Sequence, residues 1–161
     1  MARAQKVSTC LWFDREAEEA AELYTSVVPN SKITGISRYG KDSPIPEGTA
    51  LMVQFDLAGT EYMALNGGPM FPHTEAASIV VKCETQDEID GLWASLTADG
   101  GREQQCFWLK DRFGLSWQIV PSQLGEWMDS DDPVAAARVM CVVMASVKPD
   151  IAALDRAYRG D

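Results

Sequence analysis

Histidine is close to absent from this chain of 161 residues: His73 is the single one. A site built on several imidazoles is therefore excluded. His73 lies in a loop flanked by Pro69 and Pro72 and reads as a surface residue, not a catalytic base. Basic side chains are also few, 14 Lys and Arg against 24 Asp and Glu, for a formal net charge of -10. They are scattered and form no stripe. Such a surface repels phosphate backbones and anionic bilayers, so neither nucleic acid nor a membrane is expected as a partner. No run approaches the ~20 apolar residues of a membrane span. Met1 to Lys6 is short and polar, and the apolar run behind it breaks at Asp14. That pattern reads as no secretory segment and as a cytoplasmic protein. The cysteines, Cys10, Cys83, Cys106 and Cys141, form no CxxC pair and are expected as buried free thiols.

Hydrophobic residues make up 46% of the chain, enough for a real core. Val7 to Phe13 is β-branched and aromatic and predicts a strand. Asp14 is placed to cap a helix from Arg15 to about Val28, with Ala17, Ala20, Ala21, Tyr24, Val27 and Val28 on one stripe. Strands are predicted over Lys32 to Tyr39, Ala50 to Leu57 and Glu61 to Asn66, before Gly67-Gly68-Pro69 breaks the chain. The order then restarts. Ser78 to Cys83 predicts a strand, and Thr85 and Glu88 form a capping box for a helix reaching Asp99. Gly100 supplies a left-handed exit, and strands over Gln105 to Lys110 and Leu115 to Val120 are joined through Asp111-Arg112-Phe113-Gly114.

Strand, helix and strands thus occur twice, a first module at 5–68 and a shorter one at 75–121, within one domain spanning 1–161. A helical extension follows at 122–161. Asp132 and Pro133 start one helix running to about Val147, and Asp150 caps a last one carrying Ile151, Leu154 and Tyr158. Val139, Met140, Val143, Met144 and Val147 form an apolar stripe suited to core packing or a subunit contact.

The segments CLWFDREAEEAAELYTSVVPNSKI, EYMALNGGP, WLKDRFGLSWQIVP and DIAALDRAY resemble the PhnB-like family. That family is also called 3-demethylubiquinone-9 3-methyltransferase-like and belongs to the glyoxalase/bleomycin-resistance/dioxygenase (vicinal oxygen chelate) superfamily. The likeness runs from about Val7 to Tyr158, and WLKDRFGLSWQIVP is its most specific phrase. It implies an α+β fold of paired βαβββ modules, a curved mixed sheet around a cleft, and a homodimer. Fold alone does not give function.

Enzymes of this superfamily hold a divalent metal with four side chains on cleft-facing strands. The resemblance puts Thr9, Ala64, Ser78 and Gln118 at those positions. Only Gln118 could serve as a ligand, and shifting the register by one residue brings in no better donor, so no metal and no cofactor are expected. Strand alternation assigns Met63, Leu65, Ile79, Val81, Leu115, Trp117 and Ile119 to the helix-covered faces. The opposite set is expected to line the cleft: Thr9, Leu11, Phe13, Tyr62, Asn66, Ser78, Ser116 and Gln118. Such small, aromatic and neutral groups suit a small organic ligand. Tyr62 and Cys106 have no activating partner in sequence and read as packing residues. Among the tryptophans, Trp12, Trp93 and Trp117 are assigned to the core and Trp108 to a cleft rim. The first reading is a binding protein. The second is a metal-independent isomerase or lyase using Gln118, Asn66, Tyr62 and Ser78; a metal-dependent glyoxalase or dioxygenase comes last. Methyl transfer rests on the family label alone. A nucleotide-type methyltransferase needs a Gly-rich turn after an early strand, where this chain has Asp14-Arg15-Glu16.

Overall fold

The computed structural model describes residues 5–161. Residues 1–4, read above as part of a short polar opening, lie outside the described residues. The chain divides into two compact units, Met1–His73 and Thr74–Asp161. No helix is long and apolar enough to cross a membrane among the described residues.

The first unit holds β1 (Thr9–Phe13), α1 (Ala17–Val27), β2 (Lys32–Arg38), β3 (Ala50–Leu57) and β4 (Thr60–Asn66). Its sheet runs β1-β4-β3-β2, with β1 parallel to β4 and the other pairs antiparallel. Three alanines, Ala17, Ala20 and Ala21, let α1 approach the sheet closely, and all three are fully buried. Tyr24 packs toward Phe55, whose ring stacks on Tyr62 at 5.6 Å.

The start of α1 corrects the expected Asp14 cap. The helix begins at Ala17, and Glu16 at the cap position offers no side-chain bond. Asn66 supplies it from β4: its Oδ1 accepts the Ala17 N–H at 2.8 Å while its Nδ2 donates to the Ala50 carbonyl at 2.9 Å. One buried amide thereby ties a helix start to two strands. The next residue, Gly67, meets Trp12 so closely that a Cβ there would lie 2.2 Å from the indole, which excludes any side chain.

The second unit holds β5 (Ser78–Cys83), α2 (Gln86–Thr97), β6 (Arg102–Glu103), β7 (Trp108–Lys110) and β8 (Ser116–Pro121), in the order β5-β8-β7-β6. Thr85 caps α2 by accepting the Glu88 N–H, and Glu88 reaches back to the N–H of Glu84, one residue earlier than a standard capping box. The strand predicted over Gln105 to Lys110 is shorter than expected. Cys106 and Phe107 both take left-handed conformations, φ 60° and 70°, so regular pairing begins only at Trp108. The Asp111 carboxylate organises the β7–β8 turn, accepting the N–H groups of Phe113 and Leu115 and the Trp117 indole N–H.

Three further helices follow: α3 (Leu124–Met128), α4 (Pro133–Ala145) and α5 (Ile151–Arg159). Asp132 and Asp150 cap α4 and α5 as their positions predict. Val139, Val143 and Leu154 pack with Phe107 and Trp127 into a cluster of their own. Met140 and Met144, from the same predicted stripe, face solvent. Of the cysteines only Cys83 is buried; Cys10 and Cys141 are exposed and Cys106 is half-buried, against the expectation for all.

Candidate functional site

In the second unit the sheet has two chemically distinct faces. Ile79, Leu109, Trp117 and Ile119 are buried on the face beneath α2. Strand register puts Ser78, Val80, Lys110, Ser116 and Gln118 on the other. Here the predicted set comes together: Gln118 Nε2 donates to Ser78 Oγ at 2.9 Å across the β5–β8 pair. Ser116, paired with both Ser78 and Lys110, has no exposed surface, and its hydroxyl has no hydrogen-bond partner. A buried hydroxyl without a partner costs stability.

Beside this row lies an ion pair that sequence reasoning missed. Lys110 is buried, and its Nζ meets Glu75 Oε1 at 2.8 Å. Gln104 Nε2 donates to the same oxygen at 3.1 Å, while Gln104 Oε1 is buried without a partner. The Lys110 bond, with help from a backbone bond and from Gln104, pulls the Glu75 carboxyl down to about 2. Glu75, Gln104, Gln105 and Trp108 line an open cavity of about 240 Å³. Lys110 and Glu75 lie in a turn-proximal strand and a loop, and no spacing rule links them.

The first unit reverses the predicted assignment. Leu11, Phe13 and Asn66 are buried on the face that α1 covers, with Ala64, Val53 and Phe55. Tyr62 shares that face through its stack on Phe55, and register puts Thr9 opposite it. Burial raises the Tyr62 hydroxyl above its ordinary range. Tyr62 and Met63 border a small cavity of about 130 Å³ at the edge of this sheet. The open face instead carries Cys10, Trp12, Met52, Gln54, Met63 and Leu65, joined by the pairings Cys10–Met63, Trp12–Leu65 and Gln54–Met63. Trp12, assigned to the core, is half-buried here; its indole N–H donates to the Gly68 carbonyl at 2.8 Å and its ring meets Phe71 edge-on at 5.0 Å.

The donors do not fit a divalent metal. Ala64 has no donor atom and lies beneath α1, and the open face beside it offers a thiol, thioethers and an amide. Among the described residues no three His, Cys, Asp or Glu side chains are grouped to hold an ion. His73 lies edge-on to Phe13 at 4.9 Å, in the loop expected for it. Cys106 sits 3.7 Å from the Met144 sulfur.

Two four-stranded mixed sheets, each a strand–helix–strands unit, define the glyoxalase/bleomycin-resistance class of fold. The profile of the family described as 3-demethylubiquinone-9 3-methyltransferase matches residues 5–120, and the chain belongs to this PhnB-like family. A PhnB protein of Bacillus cereus, described as a candidate 3-demethylubiquinone-9 3-methyltransferase, is 36% identical with a TM-score of 0.67, covering 73% of this chain and 99% of that one. The Pseudomonas aeruginosa protein PA1353 shares the fold at 20% identity and TM-score 0.59, covering 73% and 98%. The fosfomycin resistance protein FosX of Listeria monocytogenes, solved with Mn(II) and sulfate, does so at 14% and 0.52, covering 78% and 96%. No curated protein matches the chain.

Proposed function

We propose that the protein binds a small, uncharged or weakly polar organic molecule on the open face of the second sheet, without a metal or other cofactor. The observation that carries this reading is the preset Gln118–Ser78 bond, made by two partly exposed neutral side chains beside the exposed Val80. Gln118 and Ser78 would orient a ligand carbonyl or hydroxyl, Val80 would meet its apolar part, and the Lys110–Glu75 pair would supply a fixed local dipole. Binding is tested by thermal-shift screening of a small-molecule library in chelator, with elemental analysis of untagged protein alongside. The expected result is oxygen-bearing ligands that stabilise the protein and lose their effect in Gln118→Ala. One transition metal per chain after purification would overturn the metal-free reading.

A second reading, a metal-independent isomerase or lyase, is favoured by one feature: a buried lysine held by a carboxylate beside the same row. Its mark is turnover of an oxo-acid or aldehyde that survives chelator and disappears in Gln118→Ala. Methyl transfer, named in the family's description, finds no support in the chain: Asp14-Arg15-Glu16 follows β1, and Gly67-Gly68 leads to Pro69. The working form is proposed to be a homodimer; a monomeric mass by light scattering at micromolar concentration would refute that.

A further inference from the structure

A second cavity, of about 540 Å³ and open to solvent, lies within the second unit, remote in composition from the polar row just described. Its wall combines the start of α2 (Glu84, Gln86), the turn before α3 (Gln123), Trp127 of α3 and the start of α5 (Asp150, Ile151). The α3 and α5 side of this wall comes from residues beyond 120, where the family match ends. We propose that this cavity binds a small organic ammonium ion carrying an apolar group.

The polar groups left free in the wall are acceptors. Gln123 Oε1 is buried there with no partner. The exposed Glu84 carboxylate enters no ion pair among the described residues, and Asp150 uses one oxygen to accept the Ala153 N–H. No Lys or Arg lines the cavity. At these two helix starts three of the leading N–H groups are already taken: Thr85 accepts that of Glu88, Asp150 that of Ala153, and Gln86 Oε1 that of Ile151. An anion would meet three carboxylates, Glu84, Asp150 and Asp155, of which only Asp155 is paired among the described residues, with Arg159 at 2.7 Å, whereas an ammonium finds acceptors. Gln86 also donates to the Pro149 carbonyl and to Asp90, so it pins the two helix starts at a fixed spacing. Trp127, 8% exposed, and Ile151 give an apolar floor with an aromatic face, which favours a cation with an apolar body. The volume is that of a small-molecule site.

The test uses the full chain labelled with ¹⁵N and follows the Trp127 indole N–H during titration with benzylammonium, benzyl alcohol and benzoate. Benzylammonium is expected to give a saturable shift about tenfold tighter than the alcohol, the size of one cation–π and carboxylate contribution. Benzoate should give none. Glu84→Gln combined with Asp150→Asn removes the two unpaired charges, leaves the Asp155–Arg159 pair in place, and keeps the α5 cap, since Asn caps as well as Asp. In that variant the ammonium and the alcohol should bind alike, with the other indole signals unmoved. Equal binding of ammonium and alcohol by the unaltered protein, binding of benzoate, or retention of the ammonium preference by the double variant would overturn the proposal. So would the absence of any saturable shift in the millimolar range. The polar row on the sheet is untouched by these changes, so either result is independent of the function proposed for it.

Discussion

Ser116 and Asp111 show two fates of a buried polar side chain five residues apart. Asp111 is satisfied twice over by turn N–H groups and once by the Trp117 indole, so it is structural. Ser116 has nothing to bond. Replacing Ser116 with Ala should therefore stabilise the free protein by about 1 kcal/mol, because a burial cost disappears with the hydroxyl. The same change should leave the affinity of any ligand found by the library screen unaltered, because no ligand on the face reaches a fully buried hydroxyl. Urea denaturation measures the first effect and titration the second. Destabilisation by Ser116→Ala would show that the hydroxyl is already partnered.

At the scale of elements, the junction of α1, β3 and β4 depends on Asn66. Asn66→Ala would leave the Ala17 N–H and the Ala50 carbonyl buried and unpaired, and should cost roughly 2–4 kcal/mol in a denaturant melt. Asn66→Asp keeps the acceptor for Ala17 but loses the donor to Ala50, so it should fall short of full stability while retaining the helix start. Most elements were legible before the structure. Ala50–Leu57 has the predicted bounds, and the Thr85, Asp132 and Asp150 caps stand where their sequence positions put them. The face of β1 and β4 was not legible, because both of their faces are apolar. Leu11 and Phe13 alternate with Trp12, and Ala64 alternates with Met63 and Leu65, so hydropathy names two sides without saying which lies under the helix. Side-chain size held the missing signal: a helix face of Ala17, Ala20 and Ala21 requires a close partner surface, and Ala64 provides it. On β8 the alternation of Ser116 and Gln118 with Trp117 and Ile119 is polar against apolar, and there the apolar set falls on the face beneath α2 as the alternation says. Lys110 and Glu75 escaped notice because their meeting depends on the path of the loop after residue 73.

For the whole molecule, acid stability should bear the mark of its paired carboxylates: Arg38 lowers Glu18, Lys148 lowers Asp90, and Glu75 is lowered furthest. Glu75 titrates at about 2 in the folded chain against an ordinary 4.5. A carboxyl with a lowered folded value contributes stability that is complete above about 4.5, shrinks as the pH falls, and is gone near 2. Glu75→Gln should accordingly be less stable than the unaltered protein at neutral pH, with the two denaturation curves converging toward pH 2. Because Glu75 is half exposed, added salt should narrow the gap. Curves that stay parallel down to pH 2 would assign the loss to packing and not to charge.

The left-handed pair at Cys106 and Phe107 is held from two sides. The N–H groups of Cys106 and Phe107 donate to the Ser146 and Val147 carbonyls, and the Phe107 carbonyl accepts the Ile119 N–H. The end of α4 thus continues the hydrogen-bond ladder of β8 through one strained link. The exchange rate of the Phe107 amide with deuterated solvent is therefore a direct gauge of whether the C-terminal helices are seated: slow while the Val147 carbonyl is in place, fast once they lift away.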